Sequence, residues 1–128
     1  MARLVVLLLL LASFVNIVVA DNTSQQGYLD IKESSFNFGK FPKKQVRVCV
    51  FVFKNTGSAP VVIENASTPC NCTSVKFPRQ PIMPGKKAYI SVYYNGKNYA
   101  AGHFRKSVDI HSTASNSVIR LFISGVTE

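Results

Sequence analysis

The sequence predicts an all-β fold in which two antiparallel sheets pack as a sandwich. Apolar runs of strand length recur along the chain, and Gly, Asn or Pro residues that suit turns bound each run. No segment keeps the helical period of roughly 3.6 residues, so no helices are expected to cover a parallel sheet. The 128 residues suffice for one domain with a single hydrophobic core.

Six segments are predicted to be strands. In chain order they are 28–38, 46–54, 60–66, 88–95, 103–111 and 118–126. β-Branched and aromatic residues dominate 46-VRVCVFVFK-54 and 88-AYISVYYN-95, which favours half-buried pleated strands. The intervening turns contain 55-NTGSA-59, 84-PGK-86, 95-NGKN-98 and 113-TASNS-117, whose Gly, Asn and Pro residues supply turn dihedral angles.

The N-terminus has the layout of a signal peptide. Arg3 precedes the apolar run 4–15, and Val18 and Ala20 stand three and one positions before the expected cleavage. The run is shorter than the roughly 20 residues of a transmembrane helix, and an uncleaved membrane anchor is the alternative. We therefore expect an exported protein, periplasmic or secreted, without a transmembrane segment after cleavage. The expected organisation is a signal peptide over 1–20, a flexible leader over 21–27 and one domain over 28–128.

A family resemblance covers nearly the whole chain after the predicted signal peptide. Its matching segments are 36-FNFGKF-41, 51-FVFKNTGSAPVVIENASTPCNCTS-74, 81-PIMPGKKAYISVYYN-95, 102-GHFRKSVDI-110 and 121-LFISGV-126. In these segments the sequence resembles the bacterial domain-of-unknown-function family DUF1573, which is common in Bacteroidetes envelope proteins and similar to hydin-type (ASH) Ig-like domains. The resemblance implies an Ig-like antiparallel β-sandwich of about seven strands, and it assigns no catalytic residue. Asn71 and Cys49 depart from the family pattern, which has glycine and a small or apolar residue at these positions.

The three cysteines are candidates for a disulfide or for thiol chemistry. Because the chain turns back after the strand that contains Cys49, this cysteine is expected near the same end of the sandwich as Cys70 and Cys72. An oxidising compartment permits a Cys70–Cys72 bond or a bond from Cys49 to either of them, and one thiol is left over in any case. We predict a structural disulfide that fixes the loop around residues 70–72. The alternatives are thiol–disulfide exchange and a soft-metal site for Cu(I) or Zn(II).

The sequence offers no arrangement of catalytic residues. Its six acidic residues are scattered without a pair suited to acid–base catalysis. No nucleophile-elbow motif and no phosphate-binding glycine loop is present. We therefore predict no enzymatic activity, no cofactor and no metal.

The chain is basic, with 15 Lys and Arg residues against 6 acidic residues and a formal net charge of +9. Lysines concentrate in predicted turns, at Lys40, Lys43, Lys44, Lys86 and Lys87. Turn lysines are usually solvated, and the alternative is contact with an anionic envelope surface such as lipopolysaccharide phosphates. Nucleic acid is not expected, because these loops lack interleaved stacking aromatic residues.

Two strands predict an apolar outer face. The family resemblance implies that Cys49, Phe51 and Phe53 point inward, and side chains alternate along a strand. The residues then expected on the outside of 46–54 and 88–95 include Val48, Val50, Val52, Tyr89 and Tyr93. Simple β propensity of valine is one explanation. Our hypothesis is an exported, non-enzymatic Ig-like module that binds an envelope protein or associates with itself through a sheet face or edge. The alternative function is thiol redox or soft-metal handling at 70-CNC-72.

Overall fold

Eight β-strands make up the regular structure of the computed structural model, which describes Ile17 and residues 25–128. The strands are β1 (Leu29–Ile31), β2 (Ser35–Phe41), β3 (Arg47–Asn55), β4 (Ile63–Ser67), β5 (Thr73–Lys76), β6 (Lys87–Tyr94), β7 (Gly102–Ser112) and β8 (Val118–Thr127). They form two four-stranded sheets, in the orders β1-β3-β6-β5 and β2-β8-β7-β4. The predicted all-β sandwich is confirmed, with eight strands where about seven were expected. The second sheet is mixed and not purely antiparallel as expected, because β2 pairs in parallel with β8. The predicted signal peptide, except for Ile17, lies outside the described residues.

The predicted strand over 28–38 is wrong in one respect, because it is two strands in different sheets. β1 pairs with β3, whereas β2 pairs in parallel with β8. Leu29 and Ile31 face the interior side, and continued alternation would turn Glu33 inward next. Burying an unpaired carboxylate is costly, so the chain leaves the first sheet at Lys32 and crosses to the second. The short strand β5 was also missed, because its four residues TSVK contain no apolar run.

β3 and β6 form the centre of the first sheet. Their antiparallel register places Phe51 opposite Ile90 and Phe53 opposite Ala88. These side chains point inward, as expected, and meet residues of the second sheet such as Leu121 and Ile123 in one buried cluster. Alternation therefore leaves the even-numbered side chains of β3 on the outer surface.

The turn 55–59 ties the start of the domain to the end of β3. The buried Asn55 accepts hydrogen bonds at Oδ1 from the N–H groups of Tyr28 and Gly57, at 3.3 and 3.0 Å. Its Nδ2 donates to the carbonyl groups of Ala59 and Ile82, each at 2.8 Å. A side chain at Gly57 would overlap the backbone of residues 26–28, so the close approach requires glycine.

The folded part of the chain extends into the predicted leader. The carbonyl oxygen of Gln26 accepts from Ser58 N at 2.9 Å, and that of Gly27 accepts from Ser115 N at 2.8 Å. Gly27 is buried. The described part of the chain contains no helix that is long and apolar enough to span a membrane.

Candidate functional site

The outer side of the sheet β1-β3-β6-β5 carries a continuous apolar surface. Val48, Val50 and Val52 are 50%, 53% and 42% exposed, and Tyr89 on the adjacent strand is 61% exposed. The register places Val48 opposite Tyr93 and Val52 opposite Tyr89, so the side chains of the two strands are direct neighbours. We call the five residues Val48, Val50, Val52, Tyr89 and Tyr93 the Val/Tyr face. The structure brings together all five residues that the sequence had placed on this surface.

Lysines border the Val/Tyr face. Lys54 of β3 lies directly opposite Lys87 of β6, and Lys76 of β5 is paired in register with Ser91. The Nζ atom of Lys76 lies 5.3 Å from the centroid of the Tyr93 ring, which is a cation–π contact. Asp30 of β1 stands opposite Lys54. In residues 25–128 no salt bridge neutralises these three lysines, so the rim is cationic.

The outer side of the other sheet is different. Arg120 donates from Nε and Nη2 to the two carboxylate oxygens of Asp109, at 2.8 and 3.0 Å. The hydrogen bond from Arg120 lowers the pKa of the Asp109 carboxyl group below its ordinary value. The Arg105 guanidinium lies 4.3 Å from the Phe122 ring centroid, covering one aromatic side chain. The outward row of β7 is therefore polar, whereas the second sheet still exposes Val118 and Phe36, at 53% and 42%.

A groove adjoins the Val/Tyr face beside β6. It has a volume of about 510 Å³ and is lined by residues that include Lys76, Phe77, Lys86, Lys87 and Tyr89. β5 pairs with only the second half of β6, so the first half of β6 borders this groove. The sequence interpretation did not find Lys54 and Lys76, because Lys76 belongs to the missed strand. The signal for Lys54 was available, since it continues the outward alternation of Val50 and Val52.

The structure joins two of the three cysteines. Cys70 and Cys72 form a disulfide in the turn that precedes β5, and Cys72 is buried. Cys49 is a free, buried thiol on β3, and desolvation raises its pKa to about 11. Of the pairings that the sequence left open, the structure contains the one that closes the turn on itself. A bond from Cys49 to the loop is not formed. Within the described residues, no three His, Cys, Asp or Glu side chains come close enough to hold a metal ion.

The turn lysines form two separate groups. Lys40, Lys43 and Lys44 lie at the end of the sandwich where β2 leads into β3, although Lys40 belongs to β2 and not to a turn as predicted. Lys43 Nζ donates to the carbonyl oxygen of Tyr99 at 3.1 Å. Lys86 and Lys87 lie at the start of β6, at the opposite end of the same sheet. The eight residues of β6 run between the two ends, and its seven residue-to-residue steps span about 24 Å at roughly 3.4 Å per step. The lysines therefore do not form a single basic patch.

A family comparison matches residues 29–127 to the family described as "Protein of unknown function (DUF1573)". The chain belongs to the DUF1573 family. The resemblance carried by its motifs is thus confirmed over nearly all of the described residues. A search of curated proteins finds no match to this sequence.

Solved structures share the fold of this DUF1573 domain. A Porphyromonas gingivalis W83 protein of unknown function matches with a TM-score of 0.72 and 14% identity over 84% of the chain. The match covers 50% of that protein, so the chain spans about half its length. The ASH/PapD-like domain 7 of human CEP192 matches with a TM-score of 0.67 and 11% identity, over 91% of this chain and 96% of that one. The Vibrio cholerae VesB protease matches with a TM-score of 0.59 and 10% identity, over 80% of this chain and 32% of the VesB chain. At these identities the likeness is one of fold alone.

Proposed function

We propose that this DUF1573 domain is an exported, non-enzymatic Ig-like module that binds a protein partner of the cell envelope through the Val/Tyr face. The observation that carries the proposal is the exposure of Val48, Val50, Val52 and Tyr89, between 42% and 61%, on one continuous surface. Large contiguous apolar patches on soluble domains usually mark interaction sites. The apolar segment 4–15 and the small residues that follow it support export.

The grouping of the apolar residues on two adjacent strands supports binding over simple strand propensity. Strand propensity alone predicts outward β-branched residues scattered over both sheets, and β8 does expose Val118. The outward row of β7 instead carries Arg105, Ser107, Asp109 and His111. The cationic rim adds specificity, because charged residues around an apolar centre select partners of opposite charge.

The thiol alternative has weaker support. A reactive thiol needs a lowered pKa and access to solvent, whereas Cys49 is buried and its pKa is raised to about 11. The remaining two cysteines are bonded to each other, and Cys72 is 3% exposed. We therefore assign these cysteines a structural role in the proposal.

The proposal is tested with the double variant Val50→Lys/Tyr93→Lys. Both side chains point away from the core, so the free energy of unfolding should change by no more than about 1 kcal/mol. The two added charges should disrupt an apolar interface. We expect at least a tenfold loss of partner recovered from an extract of the protein's own envelope fraction, or loss of self-association in sedimentation velocity.

The matched control is Ser107→Lys/Ser124→Lys, which adds the same charge to the outer side of the other sheet. This control should bind as the wild type does. The proposal is refuted if the wild-type protein is strictly monomeric and the wild type and both variants recover identical partners.

A further inference from the structure

β3 has a long edge without a strand partner. The strand has nine residues, but its neighbour β1 has only three and pairs with Phe53, Lys54 and Asn55 alone. On that side, Arg47–Val52 faces no other strand within the described residues. The edge exists because the chain crosses to the second sheet after Ile31, as described above.

The hydrogen bonds around Asn55 show which groups point to this edge. Asn55 N donates to the carbonyl oxygen of Lys86, toward β6, whereas Thr56 N donates to that of Tyr28, toward β1. Successive residues of a strand direct their N–H and C=O groups to opposite sides. The even-numbered residues Val48, Val50 and Val52 therefore present three N–H and three C=O groups to the open edge. In residues 25–128, no strand or loop backbone hydrogen bond reaches these groups.

Nothing in the sequence of this edge blocks strand addition. Natural edges are commonly protected by proline, by charged side chains or by bulges. The stretch Val48–Val52 has neither a proline nor a charge, and its register with β6 is continuous. A groove of about 410 Å³ adjoins this stretch, and its lining includes Val50, Val52, Lys32, Glu33 and Phe36. The edge thus combines free backbone groups with open space.

Charge indicates what can occupy the edge. Lys43 and Lys44 precede the open stretch, and Lys54 follows it, with Lys32 at the same end as Lys54. Asp30 and Glu33 offset part of this charge at one end. A second copy of the chain, with its net charge of +9, would bring cations against cations. A segment with carboxylates at its ends would pair with both cationic ends instead.

We propose that an extended polypeptide segment, apolar in its centre and acidic at both ends, adds as a strand to the edge of β3 at Val48–Val52. This inference rests on the proposed function and makes it more specific. The main-chain hydrogen bonds of the added strand supply affinity, and its outward side chains extend the Val/Tyr face. The acidic ends determine which segments bind.

Amide hydrogen exchange tests the edge on the wild-type protein. Without a partner, the amides of Val48, Val50 and Val52 should exchange at least about tenfold faster than those of Cys49 and Phe51, which bond to β6. The probe is the peptide acetyl-Asp-Glu-Val-Thr-Val-Thr-Val-Glu-Asp-amide at millimolar concentration. It should slow exchange at the three valines at least tenfold. A peptide with lysine in place of each acid, and one N-methylated throughout its centre, should not.

Three results would overturn the inference. They are slow exchange at the three valines in the free protein, no protection by the acidic peptide, and equal protection by the lysine peptide. Self-association of the wild-type protein through β3, seen as protection that rises with protein concentration, would also overturn it in favour of a second copy.

The variant Val50→Pro separates this inference from the proposed function. Proline removes the N–H group that points to the open edge, and edge strands tolerate it at such positions. We expect at least a tenfold loss of acidic-peptide binding, with Val50→Thr as a control that keeps the N–H group. If Val50→Pro retains the envelope partner that Val50→Lys/Tyr93→Lys loses, the face binds and the edge does not. The hydrogen-exchange measurement decides the matter if Val50→Pro fails to fold.

Discussion

Asn55 is a buried polar residue whose side chain joins three parts of the chain. Its amide reaches Tyr28 before β1, Gly57 and Ala59 in the following turn, and Ile82 on the segment that leads to β6. A buried amide is stable only when its donors and acceptors are paired, and here all four bonds are made. The Asn-Thr-Gly motif that helped to indicate the family therefore has a structural explanation.

Replacement of Asn55 by alanine should destabilise the domain by about 3 kcal/mol, because it removes four hydrogen bonds, all of them buried or partly buried. Urea unfolding measures the change. The control is Asn95→Ala, which removes one exposed bond to Lys97 N and should cost less than about 0.5 kcal/mol. Equal losses for the two variants would contradict the role given to Asn55.

Two elements of the first sheet separate the cysteines into different environments. β3 holds Cys49 in the interior, whereas the turn before β5 holds the bonded pair Cys70 and Cys72. The raised pKa of Cys49, about 11 against an ordinary 9.0, means that the folded state retains the proton more tightly than the unfolded chain does. The stabilisation from this thiol is present below pH 9 and is lost as the pH rises toward about 11.

Alkylation counted by mass spectrometry tests this arrangement. At pH 8 the thiolate fraction of Cys49 should be about 100-fold smaller than that of an ordinary thiol, and burial adds to the protection. We expect no adduct on the folded protein, one adduct after unfolding without reductant, and three after unfolding with reductant. Three adducts without reductant would show that the disulfide is absent.

The whole molecule is strongly basic, yet its turn lysines lie at two ends of the sandwich. β6, which runs between the two ends, spans about 24 Å, and this length exceeds the screening length of about 8 Å at physiological salt. We therefore expect the two lysine groups to act independently of each other toward any anionic surface.

Binding to heparin should consequently vanish at moderate salt and depend on both groups. We expect each of the double variants Lys43→Ala/Lys44→Ala and Lys86→Ala/Lys87→Ala to elute at a lower salt concentration than the wild type. The variant with all four substitutions should show a decrease equal to the sum of the two separate decreases. Complete loss of retention with one pair would indicate a single site. Retention that is unchanged by salt would rule out electrostatic binding.

The sequence by itself determined the β class of the fold and most strand positions. These properties follow from apolar runs of strand length that are bounded by turn residues, a pattern set by neighbours in the chain. The family resemblance implied the Ig-like arrangement, in which β3 and β6 are neighbours. It also implied which side chains of these two strands point inward, and this placed Val50 and Tyr89 on the same outer surface.

Only the tertiary structure decided which edges are open and which cysteines pair. How much of β3 is paired with β1 depends on where the segment 29–41 leaves the first sheet for the second. The local sequence pattern does not predict that position. The pairing of Leu29 with Asn55 joins residues far apart in the chain, as does that of Phe41 with Thr127. The open edge of β3, the lysine rim and the separation of the two lysine groups all result from such long-range pairing, which alternation along a single strand does not encode.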